Sequence, residues 1–372
     1  MTDNFEVLHC YRTFYPESQG GLEHSILEIS ANVPSSRVLT LSNIPGRYSL
    51  LDGSILVEAT RRWFSLASCC IGGDFLRALK RDAAEIIHFH FPWPFGDLSY
   101  LMAGSGRPLV VTYHSDIVRQ RFLGCMYRPL MHLFLARADR IVATSQNYLE
   151  SSNVLQKFRH KVEVIPLGIS ECNYPIISKK TLAAVESRFG KDFMLFVGVL
   201  RYYKGLDFLI RAAVGQPYRL VIAGKGPDLL RLKKLSRDLG ASNVIFAGYI
   251  SDSEKMALLN LCRSVVFPSH LRSEAFGVTL IEGLMCSKPL ISCEIGTGTS
   301  YVNKNGETGL VVKPADIAEL RKAMSYLWEN ANVAIEMGKA GRLRFEEFFT
   351  SKIMAKSYLD LYQRVLSERA AT

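Results

Sequence analysis

The chain has 372 residues, 48% of them hydrophobic and 22% charged, with a net charge of +10 and a mean hydropathy of +0.09. That length exceeds the ~250–300 residues one hydrophobic core normally serves, so two domains are expected. No apolar run approaches the ~20 residues of a membrane helix, no charged segment followed by an apolar one opens the chain, and the cysteines form no C-x-x-C pair or zinc-spaced cluster.

Short apolar runs that read as strands alternate with longer amphipathic stretches. The first series covers residues 5–10, 37–41, 86–89, 109–113, 140–143 and 162–165. The second covers 193–197, 219–223, 244–247, 264–267, 290–292 and 310–312. Strand-helix alternation predicts parallel sheets covered by helices, and two series predict two Rossmann-like domains, residues 1–170 and 171–350. Pro166 and Pro175 punctuate the join, and 177–189 reads as a linker helix. From Ile317 the pattern is helical, and residues 351–372 read as a helix that packs back on the N-terminal domain. Ligands of open α/β sheets bind beyond the carboxyl ends of strands, so the cleft between the domains is the expected site.

Gly20-Gly21-Leu22-Glu23-His24 follows the first strand and opens a predicted helix over 22–33. Glycines at a helix N-terminus admit a ligand phosphate to the free backbone N–H groups, although a structural turn explains them equally. No G-x-G-x-x-G occurs, which disfavours a nicotinamide cofactor. His88 and His90 lie two apart on a strand and share a face. Their spacing suits a metal, but no third ligand is evident. Tyr113-His114-Ser115-Asp116 closes a strand, so His114 is placed either to bond a sugar hydroxyl or as a satisfied structural histidine.

Arg119, Arg121, Arg128, Arg137 and Arg140 lie among Phe122, Met126, Leu130, Leu133, Phe134 and Leu135. Such a segment suits an anionic membrane surface, or a core-facing helix with a solvated basic face. The expected location is the cytoplasm, or its membrane face if that surface is used. No helix-turn-helix or RNP pattern points to nucleic acid.

Leu200-Arg201-Tyr202-Tyr203-Lys204-Gly205 closes the first strand of the second series, placing Arg201 and Lys204 to neutralise a diphosphate. Their role gains weight because the sequence has no D-x-D clamp for a metal. Gly224-Lys225-Gly226-Pro227 is a tight turn that also leaves room for a base ring. The most informative stretch is Glu274-Ala275-Phe276-Gly277-Val278-Thr279-Leu280-Ile281-Glu282. A helix opening at Gly277 or Val278 offers free N–H groups and a positive dipole end to an anion. Glu274 precedes it, and Glu282 lies about two turns on, roughly 12 Å at ~1.5 Å per residue. Two carboxylates flanking an anion site match a nucleotide diphospho-sugar, an anion between two hydroxylated rings. Helix capping by Glu274 and a surface Glu282 are the plainer alternatives.

These segments, in this order from Gly20 to about Val312, resemble the GT-B-fold glycosyltransferases of family 4, retaining enzymes that use nucleotide-sugar donors. Glu274 to Glu282 is similar to that family's E-x(7)-E motif, and Lys204-Gly205, 142–145, 164–168 and 223–227 also fit its pattern. The combination of 88–92, 113–116 and 200–205 is similar to bacterial mannosyl- and rhamnosyltransferases that build surface polysaccharides from GDP-sugars. The resemblance implies that Glu274 contacts the transferred sugar, that Phe276, Gly277, Val278 and Thr279 offer backbone amides, and that Glu282 holds the ribose. It further implies Lys204 on phosphate, Gly21 beneath the diphosphate and His114 at the sugar, with no metal and no cofactor beyond the GDP-sugar donor. The implied acceptor is a lipid-linked saccharide. One residue departs from the pattern: Val199 stands where the family commonly has arginine, and Arg201 is the candidate substitute. A UDP-sugar-dependent transferase, a GT-B-fold sugar-nucleotide epimerase and a non-catalytic member are the alternatives.

Overall fold

The computed structural model describes residues 5–66, 69–116 and 121–371, with backbone alone for 66 and 121–125. Two compact units divide it: residues 5–169 together with the helix Ser351–Ala370, and Ser170–Thr350.

The N-terminal unit holds strands β1 (Val7–Cys10), β2 (Ser36–Ser42), β3 (Gly46–Leu50), β4 (Ile55–Arg61), β5 (Phe64–Leu66), β6 (Cys69–Ile71), β7 (Ile86–Phe91), β8 (Leu109–Tyr113), β9 (Arg140–Ala143) and β10 (Val162–Val164). Eight of them form one sheet in the order β10-β9-β8-β7-β1-β2-β4-β3. All its pairs are parallel except β3 with β4. The central strands β1, β7 and β8 are buried along their whole length, as expected where helices cover both faces. The sequence reading missed β3 to β6. β4 alternates, with Ile55, Val57 and Ala59 buried and Leu56 exposed, and β3 is a largely exposed antiparallel edge, so neither forms a continuous apolar run.

The helix Gly21–Asn32 connects β1 to β2, and its Ile26 packs with Tyr11, Phe14, Val38, Ile55 and Val57. The helix Ser351–Ala370 belongs to this unit and buries Tyr358, Leu361, Tyr362 and Val365. Ser351 N–H donates to the Ile169 carbonyl at 3.0 Å, where the chain leaves and re-enters the unit.

The C-terminal unit carries β11 (Met194–Val197), β12 (Leu220–Ala223), β13 (Val244–Gly248), β14 (Ser264–Phe267), β15 (Leu290–Cys293) and β16 (Gly309–Val312). They form one sheet, β13-β12-β11-β14-β15-β16, with every pair parallel. Met194, Phe196, Ile222 and Ile291 meet Leu209, Ile210, Leu320 and Met324 from the helices in one core. Each such side chain contributes roughly 1.5–3 kcal/mol by leaving water. Among the described residues no helix is long and apolar enough to cross a membrane.

Candidate functional site

In the C-terminal unit the carboxyl ends of β11 and β14 bring the phosphate-binding candidates together. After β11 the chain passes Val199 and Arg201, both exposed, into a short turn Tyr202–Lys204. Gly205 then adopts φ +68°, and a Cβ there would lie 2.1 Å from the Pro268 carbonyl oxygen. Only glycine permits that approach. It seats Lys204 against the loop after β14.

Lys204 is only 8% exposed. Its Nζ donates to Glu274 Oε2 and lies 4.5 Å above the Phe267 ring. Ser269 Oγ donates to the same carboxylate oxygen at 3.1 Å. Burial first, and then the Glu274 charge, push the Tyr203 hydroxyl up to about 12. Lys204 and Glu274 are thus one ion-paired unit 70 residues apart in sequence. Arg201, exposed at the start of the turn, makes no ion pair among the described residues.

The helix after Glu274 runs Val278–Met285, capped by Gly277 at φ +94° with no side-chain hydrogen bond at its N-terminus. Its first N–H groups therefore lack a capping side chain, and capping by Glu274 is ruled out by that carboxylate's engagement with Lys204 and Ser269. Phe276 and Gly277 are buried, while Val278 and Thr279 keep partial exposure. The Phe276 ring packs edge-on to Phe349 at 6.2 Å, and the Ala275 carbonyl accepts from Gly298 N–H at 2.8 Å. Both contacts fix the turn that aims the helix start.

Glu282 lies one helical turn in rather than two, because only Val278 onward is helical. It is 5% exposed, so it is not a surface residue. Its Oε1 accepts from Lys255 Nζ at 2.8 Å and from the Tyr174 hydroxyl at 2.9 Å. Burial opposes the charge on Lys255, yet the Glu282 and Asp252 carboxylates together outweigh it and raise the lysine above its usual range. Lys255 rides on the helix Asp252–Leu261, whose start is fixed by a capping box between Ser251 and Glu254. At the end of β12, Lys225 Nζ stands 4.9 Å over the ring of the exposed Tyr249.

In the N-terminal unit, Gly21 is exposed at the first position of its helix. Behind it, Glu23 Oε1 accepts from Thr13 at 2.7 Å and Ser18 at 2.6 Å, tying down the loop between β1 and the helix. His114, 5% exposed, follows β8, its N–H bonded to the Phe91 carbonyl at 3.1 Å. Its ring does not stand alone. His114 Nε2 lies 3.0 Å from His90 Nδ1, and His90 Nε2 lies 3.1 Å from His9 Nδ1. Parallel pairing puts His9 beside His88, supplying the third imidazole that spacing alone did not reveal. His9, His88 and His90 hold nitrogens within 4.8 Å of one another. His88, however, hydrogen-bonds the Tyr362 hydroxyl through Nδ1 at 2.6 Å and the Thr112 hydroxyl through Nε2 at 2.7 Å. Burial drives His9 and His114 down to about 3, and burial with neighbouring imidazoles lowers His88 and His90 well below the usual range.

Arg119 lies outside the described residues, as do the side chains of Arg121 and Phe122. The helix Arg121–Arg137 exposes Met126 and Leu133 beside Arg128 and Arg137 and buries Phe134 and Leu135. Arg140 belongs to β9 rather than to that helix and pairs with Glu368 at 2.5 Å.

The missed site residues are Ser269, Lys255, Tyr174 and His9. Ser269 alone had a local signal, five residues before Glu274. The others reach the site across sheet or helix contacts that no spacing encodes.

Residues 51–171 match the family described as Glycosyltransferase Family 4, and residues 178–344 match Glycosyl transferases group 1. The chain is 45% identical over 372 residues to the D-rhamnosyltransferase WbpZ of Pseudomonas aeruginosa, covering 98% of each. It is 42% identical over 375 residues to the O-antigen chain mannosyltransferase C of Escherichia coli, covering 98% of this chain and 100% of the relative. Its fold matches the Anabaena protein HepE solved with UDP and glucose, at TM-score 0.78 and 18% identity over 97% of this chain and 100% of that one. Sucrose-phosphate synthase from Thermosynechococcus elongatus gives TM-score 0.80 at 19% identity, over 98% and 100%. The chain belongs to the group 1 glycosyltransferases of family 4 and has their GT-B fold.

Proposed function

We propose that this enzyme transfers a D-rhamnosyl or D-mannosyl residue from a GDP-sugar to a lipid-linked saccharide during O-antigen-like polysaccharide synthesis, with retention of anomeric configuration and without a metal. The sugar classes follow those named for the two relatives of 45% and 42% identity. One observation carries the chemistry. The helix start at Val278 carries no capping side chain, and along the sequence it stands between Glu274, paired with Lys204, and Glu282, paired with Lys255.

In this reading the diphosphate takes the N–H groups at Gly277 to Thr279 and the ammonium of Lys204, with Arg201 and Gly21 as further contacts. Fixed donors of this kind stabilise the charge that grows on the leaving diphosphate, at about 3–4 kcal/mol per well-placed contact. Glu274, freed from Lys204, meets the sugar, and His114 bonds a sugar hydroxyl. Glu282 accepts from the ribose hydroxyls, leaving Lys225 and Tyr249 for the base. The acceptor hydroxyl enters on the face the diphosphate leaves, and the departing phosphate oxygen takes its proton. The helix Arg121–Arg137, with Met126, Leu133, Arg128 and Arg137 exposed, rests on an anionic membrane where the acceptor resides.

The test is to incubate the purified protein with GDP-mannose, GDP-rhamnose and their UDP counterparts, with a lipid-linked saccharide and with none. The reading expects an α-linked product from an α-linked GDP donor, formed equally in the presence of EDTA. Inverted product, transfer from UDP-sugars alone, or an epimer formed without acceptor would reject it.

A further inference from the structure

A neutral imidazole carries one N–H and one lone pair, so two imidazole nitrogens in contact must divide into a donor and an acceptor. His90 commits both nitrogens to such contacts, Nε2 at 3.1 Å from His9 and Nδ1 at 3.0 Å from His114. Three rings in file can therefore hold their protons in two ways. In the first, His9 donates from Nδ1, His90 donates from Nδ1, and His114 keeps its proton on Nδ1, away from the chain. In the second, every proton shifts: His114 and His90 donate from Nε2, and His9 keeps its proton on Nε2.

The buried end decides between them. His9 is completely buried, and among the described residues its Nε2 has no hydrogen-bond partner. The second arrangement strands an N–H there, whereas the first strands only a lone pair. Orphaned buried N–H groups are the rarer of the two in folded backbones, and the same desolvation argument favours the first arrangement here. At the other end His114 keeps 5% exposure, and among the described residues its Nδ1 has no partner, though it is not among the fully buried unpaired atoms as His9 Nε2 is. A metal among His9, His88 and His90 is the rival use of this cluster. It would have to displace the Tyr362 or Thr112 hydroxyl from His88 and an imidazole from His90.

We propose that His9 and His90 are positioning residues that lock His114 in the tautomer protonated on Nδ1, giving the N-terminal unit one fixed hydrogen-bond donor for a sugar oxygen. The proposal rests on the reading of His114 as a sugar-contacting residue. A fixed donor accepts any substrate oxygen with a free lone pair and does not require the sugar hydroxyl to supply the proton. Because the pattern runs through two rings, a change at His90 reaches the substrate without touching it.

The experiment is long-range proton–nitrogen NMR on the full chain labelled with ¹⁵N-histidine and free of substrate, with His114→Asn providing the assignment. The expected wild-type spectrum shows the His114 proton on Nδ1. His90→Asn, whose amide can present its oxygen to His114 Nε2, removes the lock, so His114 shifts toward the Nε2-protonated form that imidazole prefers in water, and transfer falls about three- to tenfold, the range of one neutral hydrogen bond. A wild-type His114 protonated on Nε2 overturns the proposal. So does an unchanged tautomer in folded His90→Asn, or stoichiometric zinc in the purified protein that shifts the His9 and His90 resonances. The wild-type spectrum decides alone if His90→Asn does not fold. The spectrum needs no turnover, so a locked tautomer in a protein that transfers no sugar defeats the transferase reading and leaves the lock intact.

Discussion

Lys255 and Glu282, 27 residues apart, meet at 2.8 Å in the C-terminal unit, with the Tyr174 hydroxyl on the same carboxylate oxygen. That arrangement orients Glu282 before any ligand arrives, so its loss should weaken binding rather than chemistry. Glu282→Gln and Lys255→Met are each expected to raise the Kd for GDP about tenfold or more, the scale of a charge-assisted hydrogen bond. The turnover number should stay within about threefold, because a contact equal in ground and transition states leaves it unchanged. Calorimetric titration beside steady-state kinetics separates the two, and an unaltered Kd would remove Glu282 from the nucleotide site.

Lys204 and Glu274 are expected to act on the chemistry itself. Lys204→Ala and Glu274→Ala should each reduce turnover at least about a hundredfold. Both also break a largely buried pair, which costs about 3–5 kcal/mol when one partner remains alone. Melting curves must therefore accompany the rates. A folded Glu274→Ala variant with wild-type transfer contradicts the assigned role.

Gly205→Ala probes the backbone approach that seats Lys204. The left-handed φ and the Pro268 carbonyl 2.1 Å from the added methyl together predict a loss of at least ~2 kcal/mol. Urea denaturation reads it directly, and a variant as stable as the parent would show that the loop yields freely.

The histidine cluster predicts an acid-sensitive N-terminal unit. Burial depresses the folded pKa values of His9 and His114 to about 3 and those of His88 and His90 well below their usual value. Between those values and the unfolded value near ~6.5, the unfolded chain binds more protons than the folded one. Stability is then full above ~6.5 and falls as the pH drops, by up to ~1.4 kcal/mol per pH unit for each histidine. Thermal unfolding at pH 7.5, 6 and 5 should show a falling midpoint, lessened in His9→Leu. A flat profile across that window would mean the rings titrate normally.

Met126 and Leu133, exposed beside Arg128 and Arg137, predict sedimentation with phosphatidylglycerol vesicles at low salt. The double variant Met126→Ser, Leu133→Ser should stay in the supernatant while melting as the parent does. A parent protein that never pellets argues against a membrane role for this face.

Much of this was legible in the chain. Buried parallel strands such as β11 and β12 are continuous apolar runs, and Glu274, Gly277 and Glu282 sit within one short segment. β3 was not legible, because an exposed antiparallel edge needs no apolar pattern. His9 gave no local signal, since its partner His90 lies 81 residues away in β7. Lys255 gave no local sign of its partner Glu282, 27 residues on. Local chemistry shows in sequence; partners supplied by sheet order and helix packing do not.

The helix Ser351–Ala370 places the Tyr358 and Tyr362 hydroxyls against Thr112 and His88, although the whole C-terminal unit is encoded between them. On the ribosome, the amino-terminal half must therefore wait, its histidine floor open on one side, until its partner half has been synthesised. The order of manufacture and the order of completion are opposite: the domain begun first is the one finished last.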